Sequence, residues 1–279
     1  MRFEPRAPRE DINVSPQHPL HEATLLVAGV VGVVVFLGIV IGVGVDLAIR
    51  WIPPEFESRA FGGLRASPAG YRAAMTGDAA VPQRVLARLA AHWPDAPYEF
   101  SILVIESETA NAAALPGGSV LLTRGLLNTV ESENELAFVL GHELGHFHGR
   151  DHLRRLGRGA VYGLALAAVL GRAGGGQGLA SLTGDLTSRG FDRGQERDAD
   201  AYGLRLLDAE FGHIGGATAF FEHLSSLEAT NLQDVVAYFS THPSTLERSA
   251  EIARLAHSRG YALTGALGPL PGDESTEPE

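Results

Sequence analysis

The chain has 279 residues, 45% of them apolar, and a formal net charge of −11. That is enough apolar material for one sizeable domain with appendages, and the acidic balance argues against a nucleic-acid partner. There is no cysteine, which excludes disulfides, thiolate zinc ligands and cysteine nucleophiles together.

Residues 1–22 are polar and contain proline, and read as a short flexible tail. Residues 23–45 carry no charge and are rich in Val, Gly, Ile and Leu. As a helix this stretch is roughly 34 Å long, enough to cross a hydrocarbon core. It is read as a single transmembrane anchor over residues 23–49. A cleavable signal peptide fits less well, because its apolar region is shorter and does not usually follow so long a polar lead. Arginines flank the span on both sides, so the side on which the rest of the chain lies stays open. Residues 50–80 carry Pro53, Pro54, Gly62, Gly63 and Gly70 and read as a linker. The soluble domain is expected over residues 81–265, with a disordered acidic tail at 266–279.

Within that domain, Val81, Val85, Leu86, Leu89 and Trp93 fall at helical spacing. Residues 100–105 and 119–123 read as strands. Pro116-Gly117-Gly118 between them is a strong turn signal. Two readings of this stretch stand side by side. One is a plain hairpin connection. The other is an exposed strand, carrying Gly118, Val120 and Leu122, to which an extended peptide adds by backbone pairing.

The most informative stretch is 132–152. Ser132 followed by Glu135 is a capping box that opens a helix. Leu136 to Leu140 make the helix apolar almost all round, so it should be buried. His142, Glu143 and His146 then form H-E-x-x-H. Residues four apart share a helix face, so the two imidazoles can bind one zinc ion from the same side. Glu143 lies about 100° round, where it can reach a metal-bound water without being a ligand. The alternative is a pair of core histidines hydrogen-bonded to carbonyls.

Beyond this helix, residues 161–170 are apolar but too short to span a bilayer. They suit a membrane-surface helix, a cover over the site or a core helix. A glycine run at 174–178 suits a hinge. Helices are expected at 215–227 and 244–257.

A catalytic zinc usually has three protein ligands and a water, and two residues compete to be the third. His152 completes H-E-x-x-H-x-x-G-x-x-H, the metzincin string. That fold also needs a methionine turn downstream, and the only methionines are Met1 and Met75. His152 otherwise reads as a surface histidine at the helix end. Glu196, with Asp200 four residues on, puts two carboxylates on one helical face. Glu196 can bind the metal, while Asp200 can take a hydrogen bond from the far nitrogen of a ligating histidine, His142 above all. Arg193, Arg197 and Asp198 would suit a solvated helix. Ala199, Ala201, Gly203, Leu206 and Leu207 indicate a packed one, and the choice falls on Glu196.

With these residues in place the chain resembles the HtpX- and CAAX-prenyl-protease-type membrane zinc endopeptidases, family forty-eight of the metallopeptidases, within the gluzincins. The matching residues are Asn111-Ala112, Pro116-Gly117-Gly118, Gly125-Leu126-Leu127, the run from Glu135 to His146, Ser188-Arg189, Glu196-x-x-Ala199-Asp200-x-x-Gly203 and Thr241-His242-Pro243-Ser244-Thr245-x-x-Arg248. They span about half the chain and fall in the family's order.

The resemblance implies a mainly α fold with a small β-sheet (zincin-like α+β) behind a single N-terminal transmembrane helix. It implies one Zn2+ per chain on His142, His146 and Glu196, Glu143 as general base, and protein or peptide substrates. In some periplasmic members the histidine of the His-Pro motif can approach the zinc, which makes His242 a candidate fourth ligand or regulator. The other reading of His242 is a helix-entry motif, with Arg248 packed against an acid. The single span departs from the multi-span members, so cleavage inside the bilayer is not implied. A membrane location is expected, in a bacterial inner membrane given a composition with arginine but no lysine. A latent or non-catalytic zinc-dependent chaperone or assembly factor is the alternative function.

Overall fold

The computed structural model describes residues 19–66, 79–159, 193–228, 242 and 248–270. The expected apolar helix at 161–170, the glycine run at 174–178 and most of both tails lie outside them.

The chain divides into two compact units, residues up to Gly44 and residues from Val45 onward. The first is built on helix α1 (Pro19–Trp51), which starts a few residues before the expected span. Leu25, Val30, Phe36 and Ile39 along it are all more than half exposed. Among the described residues α1 is the one helix long and apolar enough to cross a membrane.

The second unit contains the expected domain and more. Part of the stretch expected as a linker is helix α2 (Pro54–Ala66). Proline is well tolerated in a first helical turn, where Pro54 stands. Helix α3 (Ala80–Ala91) buries Val85, Leu86 and Leu89. Strands β1 (Ser101–Ile105), β2 (Ala112–Leu115) and β3 (Ser119–Thr123) form a sheet in the order β1-β3-β2. β1 runs parallel to β3, and β2 antiparallel to it. The Pro116-Gly117-Gly118 turn is therefore a tight hairpin between β2 and β3. Gly117 and Gly118 both have φ near +90°, at 88° and 91°, a region glycine enters without steric cost.

Helices α4 (Arg124–Thr129) and α5 (Glu133–Gly149) follow. Then come α6 (Arg193–Phe211), α7 (Gly215–Glu228) and α8 (Arg248–Arg259). α5 is the axis of the domain, with every residue from Asn134 to Phe147 buried. Its start is capped as expected, with the Glu135 N–H donating to Ser132 Oγ at 3.2 Å. The Glu135 carboxylate takes the N–H of Glu131 at 3.1 Å. The first part of the expected acidic tail is also docked here. The Glu133 N–H donates to the Gly268 carbonyl at 3.0 Å, and the Gly268 N–H to Asn134 Oδ1 at 2.7 Å.

α6 lies against α5 at backbone contact. A Cβ on Gly145 would stand 2.6 Å from Ala199 Cα, and one on Gly203 3.0 Å from the His142 nitrogen. The small residues read on the inner side of this helix thus admit the close approach that carries Glu196 and Asp200 up to the histidines. Phe138, Phe147, Phe220, Leu86, Leu122 and Leu140 fill the surrounding core. The described residues are mainly helical with a small three-stranded sheet, as the sequence leads one to expect.

Candidate metal centre

α5 presents His142 and His146 one turn apart, with Nε2 atoms separated by 3.1 Å. α6 brings Glu196, whose Oε2 is 3.4 Å from His142 Nε2 and whose Oε1 is 3.5 Å from His146 Nε2. His242 enters from the far end of the chain. Its Nδ1 lies 3.1 Å from His142 Nε2 and 3.2 Å from Glu196 Oε1. One donor atom from each of these four residues falls within 4.8 Å of all the others, and all four residues are buried.

The outer nitrogens of the two helix histidines are held by carboxylates. His142 Nδ1 is 2.9 Å from Asp200 Oδ1, and His146 Nδ1 is 3.1 Å from Asp151 Oδ2. A carboxylate only accepts, so each Nδ1 carries a proton, and in the neutral, metal-binding form of each ring the Nε2 lone pair turns inward. In that form the two inward nitrogens, 3.1 Å apart and beside a carboxylate, supply no donor to one another. The donor set suits a divalent cation of borderline softness, and nitrogen and oxygen ligands are those zinc takes.

Two further residues complete the frame. Arg248, at the start of α8, donates from Nε to Asp200 Oδ2 at 2.7 Å and from a terminal nitrogen to Oδ1 at 2.5 Å. Its other terminal nitrogen is 3.2 Å from Glu196 Oε2. This agrees with a packing of Arg248 against an acid. Asp151 is the residue that reading by motif missed. It follows the break at Arg150, whose φ of 56° ends α5 in the left-handed region, and nothing in the local spacing shows that it turns back to His146.

The electrostatics are those of a tight charge cluster. Burial pulls His142 down, but Glu196 and Asp200 outweigh it and push it up to about 9. Burial pushes Glu196 up, yet His242 and His142 hold it far below the usual carboxylate range. Burial likewise opposes the ionised Asp200, which Arg248 and His142 keep below its ordinary value. His242 is lowered by its own burial.

Glu143 is fully buried, and neither of its carboxylate oxygens has a hydrogen-bond partner among the described residues. His242 Nε2 stands 3.5 Å from one of them. His242 Nε2 is also 3.3 Å from the carbonyl of Ala112 in β2, so the sheet reaches the site through that strand.

The remaining candidates fall elsewhere. His152 is buried, not on the surface, and its Nε2 lies 2.6 Å from Oε1 of Glu57 on α2, outside the donor cluster. The strand expected to receive a peptide also needs correcting. β3, with Val120 and Leu122, is the middle strand of the sheet and is paired on both sides. The Gly118 carbonyl beside it already accepts the Ser101 N–H at 3.0 Å. An added strand needs a free edge. The edge beside the site belongs to β2, an alanine-rich strand whose composition does not advertise it.

The model of peptidase family M48 matches residues 79–256, which take in α3 through most of α8. Mitochondrial metalloendopeptidase OMA1 of Arabidopsis thaliana is 31% identical over 155 residues, 56% of this chain and 31% of that protein. OMA1 of Schizosaccharomyces pombe is 29% identical over 174 residues, 61% of this chain and 50% of that protein. Metalloprotease LoiP of Escherichia coli is 30% identical over 156 residues, 53% of this chain and 60% of that protein. The chain thus spans less than two thirds of each of these relatives. The match to the family model covers more than half of this chain, and it takes in the histidine helix, the carboxylate helix and the arginine that joins them: the chain belongs to peptidase family M48.

Proposed function

We propose that this protein is a membrane-anchored zinc endopeptidase. The observation that carries the reading is the convergence of His142, His146 and Glu196, backed by Asp200 and Asp151, around a fully buried Glu143. His142, His146 and Glu196 would hold the zinc. When bound, zinc lowers the pKa of a coordinated water towards ~7 and polarises a carbonyl oxygen. Glu143 then takes the proton of the attacking water on a carboxylate oxygen and returns it to the amine as the peptide bond breaks. Asp200 and Asp151 keep both imidazoles in the tautomer that leaves Nε2 free, while Arg248 holds Asp200 ionised and pairs with Glu196 at 3.2 Å.

β2 is the edge on which an extended substrate pairs, with Ala112 nearest the reacting bond. In the arrangement described, His242 lies across that edge, hydrogen-bonded to the Ala112 carbonyl. It acts as a fourth donor that must withdraw for substrate to enter. α1 anchors the enzyme, in a bacterial inner membrane.

Glu143→Gln should keep one zinc per chain and lose casein cleavage by several orders of magnitude. Undiminished cleavage in that variant would remove Glu143 from the chemistry. A zinc-dependent chaperone of the same fold is the competing reading. It would predict that the Glu143→Gln protein keeps all activity in a cell-based assay.

A further inference from the structure

Glu57 is a carboxylate that the family match does not reach. It stands on α2, before residue 79, where that match begins, and is only 1% exposed. Burying a carboxylate so deeply is costly unless donors surround it. Here they come from separate parts of the matched domain. Oε1 accepts from His152 Nε2 at 2.6 Å and from the N–H of Gly117 at 3.1 Å. Oε2 accepts from the Tyr98 hydroxyl at 2.9 Å and faces the Arg150 guanidinium at 3.5 Å.

Three of these partners lie at the ends of elements that carry the candidate site. Gly117 is in the turn that ends β2 and begins β3. Arg150 is the C-cap of α5, and His152 lies just beyond it. Phe61, one turn further along α2, packs on the same turn: a Cβ on Gly117 would stand 3.1 Å from the Phe61 Cβ. Arg150 in addition donates to the carbonyls of Ile49 and Ile52, at 3.0 and 2.7 Å, where the chain enters α2. One carboxylate therefore ties the end of β2, an edge strand among the described residues, to the end of the histidine helix.

We propose that Glu57 is a positioning residue for the peptide-binding edge. It fixes the β2–β3 turn against the C-terminal end of α5, and so sets where a paired substrate lies relative to His142, His146 and Glu143. The inference rests on the reading of β2 as the substrate edge. It also assigns the segment before residue 79 a part in substrate binding, in addition to its place in the chain between anchor and domain.

The test uses the full chain in detergent micelles, with Glu57→Gln and the milder Tyr98→Phe. Hydrogen–deuterium exchange of residues 111–123 is read without substrate, alongside zinc content and the kinetics of peptide cleavage. In Glu57→Gln, exchange at the turn and β2 should speed up while zinc content stays at one per chain. KM should rise about tenfold with kcat within about twofold, the pattern of lost binding and intact chemistry. Tyr98→Phe, which removes a single donor, should move each reading the same way by less.

Exchange at residues 111–123 equal to wild type in both variants would overturn the proposal. So would a fall in kcat that tracks loss of zinc at unchanged KM, since that marks a purely structural role. If Glu57→Gln does not fold, Tyr98→Phe decides on the same criteria. If the wild-type protein cleaves no peptide, the endopeptidase reading fails, and the exchange measurement still shows whether Glu57 holds the β2 edge.

Discussion

His142 Nδ1 sits 2.9 Å from Asp200 Oδ1, and this hydrogen bond decides which ring nitrogen is free to meet a metal. Asp200 is itself held by two donors of Arg248, so the bond is fixed from both sides. Asp200→Asn keeps the shape but lets the amide nitrogen face the ring, which permits the wrong tautomer. Zinc affinity should fall by about 10–100-fold, the usual effect of losing an outer-shell partner. Competition against a chromophoric chelator measures it, and an unchanged affinity would show that Asp200 does not orient the ring.

Gly145 sets how closely α6 can approach α5. An added methyl would meet Ala199 at 2.6 Å from Cα and 2.8 Å from the carbonyl oxygen, both backbone atoms that cannot rotate away. Gly145→Ala should cost roughly 1–3 kcal/mol of stability as an overpacked contact. It should also weaken zinc binding, because the helix displaced is the one that carries Glu196. Gly159→Ala is the control, since among the described residues nothing lies within 4 Å of its added methyl. Thermal denaturation with and without zinc separates the two effects.

His152 satisfies the spacing of a zinc ligand and is occupied elsewhere, on Glu57 at 2.6 Å. His152→Gln should keep one zinc per chain, whereas Glu196→Ala should lose it. His152→Leu, which removes the donor altogether, should also keep its zinc but be less stable by about 1–3 kcal/mol, because Glu57 stays buried and loses that partner. Native mass spectrometry and a denaturation curve on each variant check both halves.

The histidine helix was legible because its signals are local: a capping serine, an apolar run and two histidines four residues apart. Glu196 and Asp200 were legible for the same reason, since both sit on one helical face and their neighbours are small. What escaped was set by contacts distant in sequence. β2 is three alanines and a leucine, weak strand formers, and it is a strand because β3 offers it an edge to pair with. α2 was hidden by prolines and paired glycines that suggest a linker, although Pro54 stands in its first turn. The partnership of Asp151 with His146 depends on the left-handed turn at Arg150, a conformation its residue type does not announce.

Glu57 also makes the dock of α2 sensitive to acid. Burial pushes its carboxyl up, but the hydrogen bond and charge of His152, with Gly117 and Tyr98, bring it below the ordinary carboxylate range. A group whose folded value is depressed adds stability above its unfolded value and loses it as pH falls through the folded one. Glutamine at this position has no such dependence. The stability gap between wild type and Glu57→Gln should therefore be full above about pH 5 and shrink steadily below about pH 4. Denaturant midpoints of the two proteins, measured from about pH 7 down to about pH 3.5, read this directly. A gap that widened on acidification would mean that burial, and not the donors around Glu57, governs its charge.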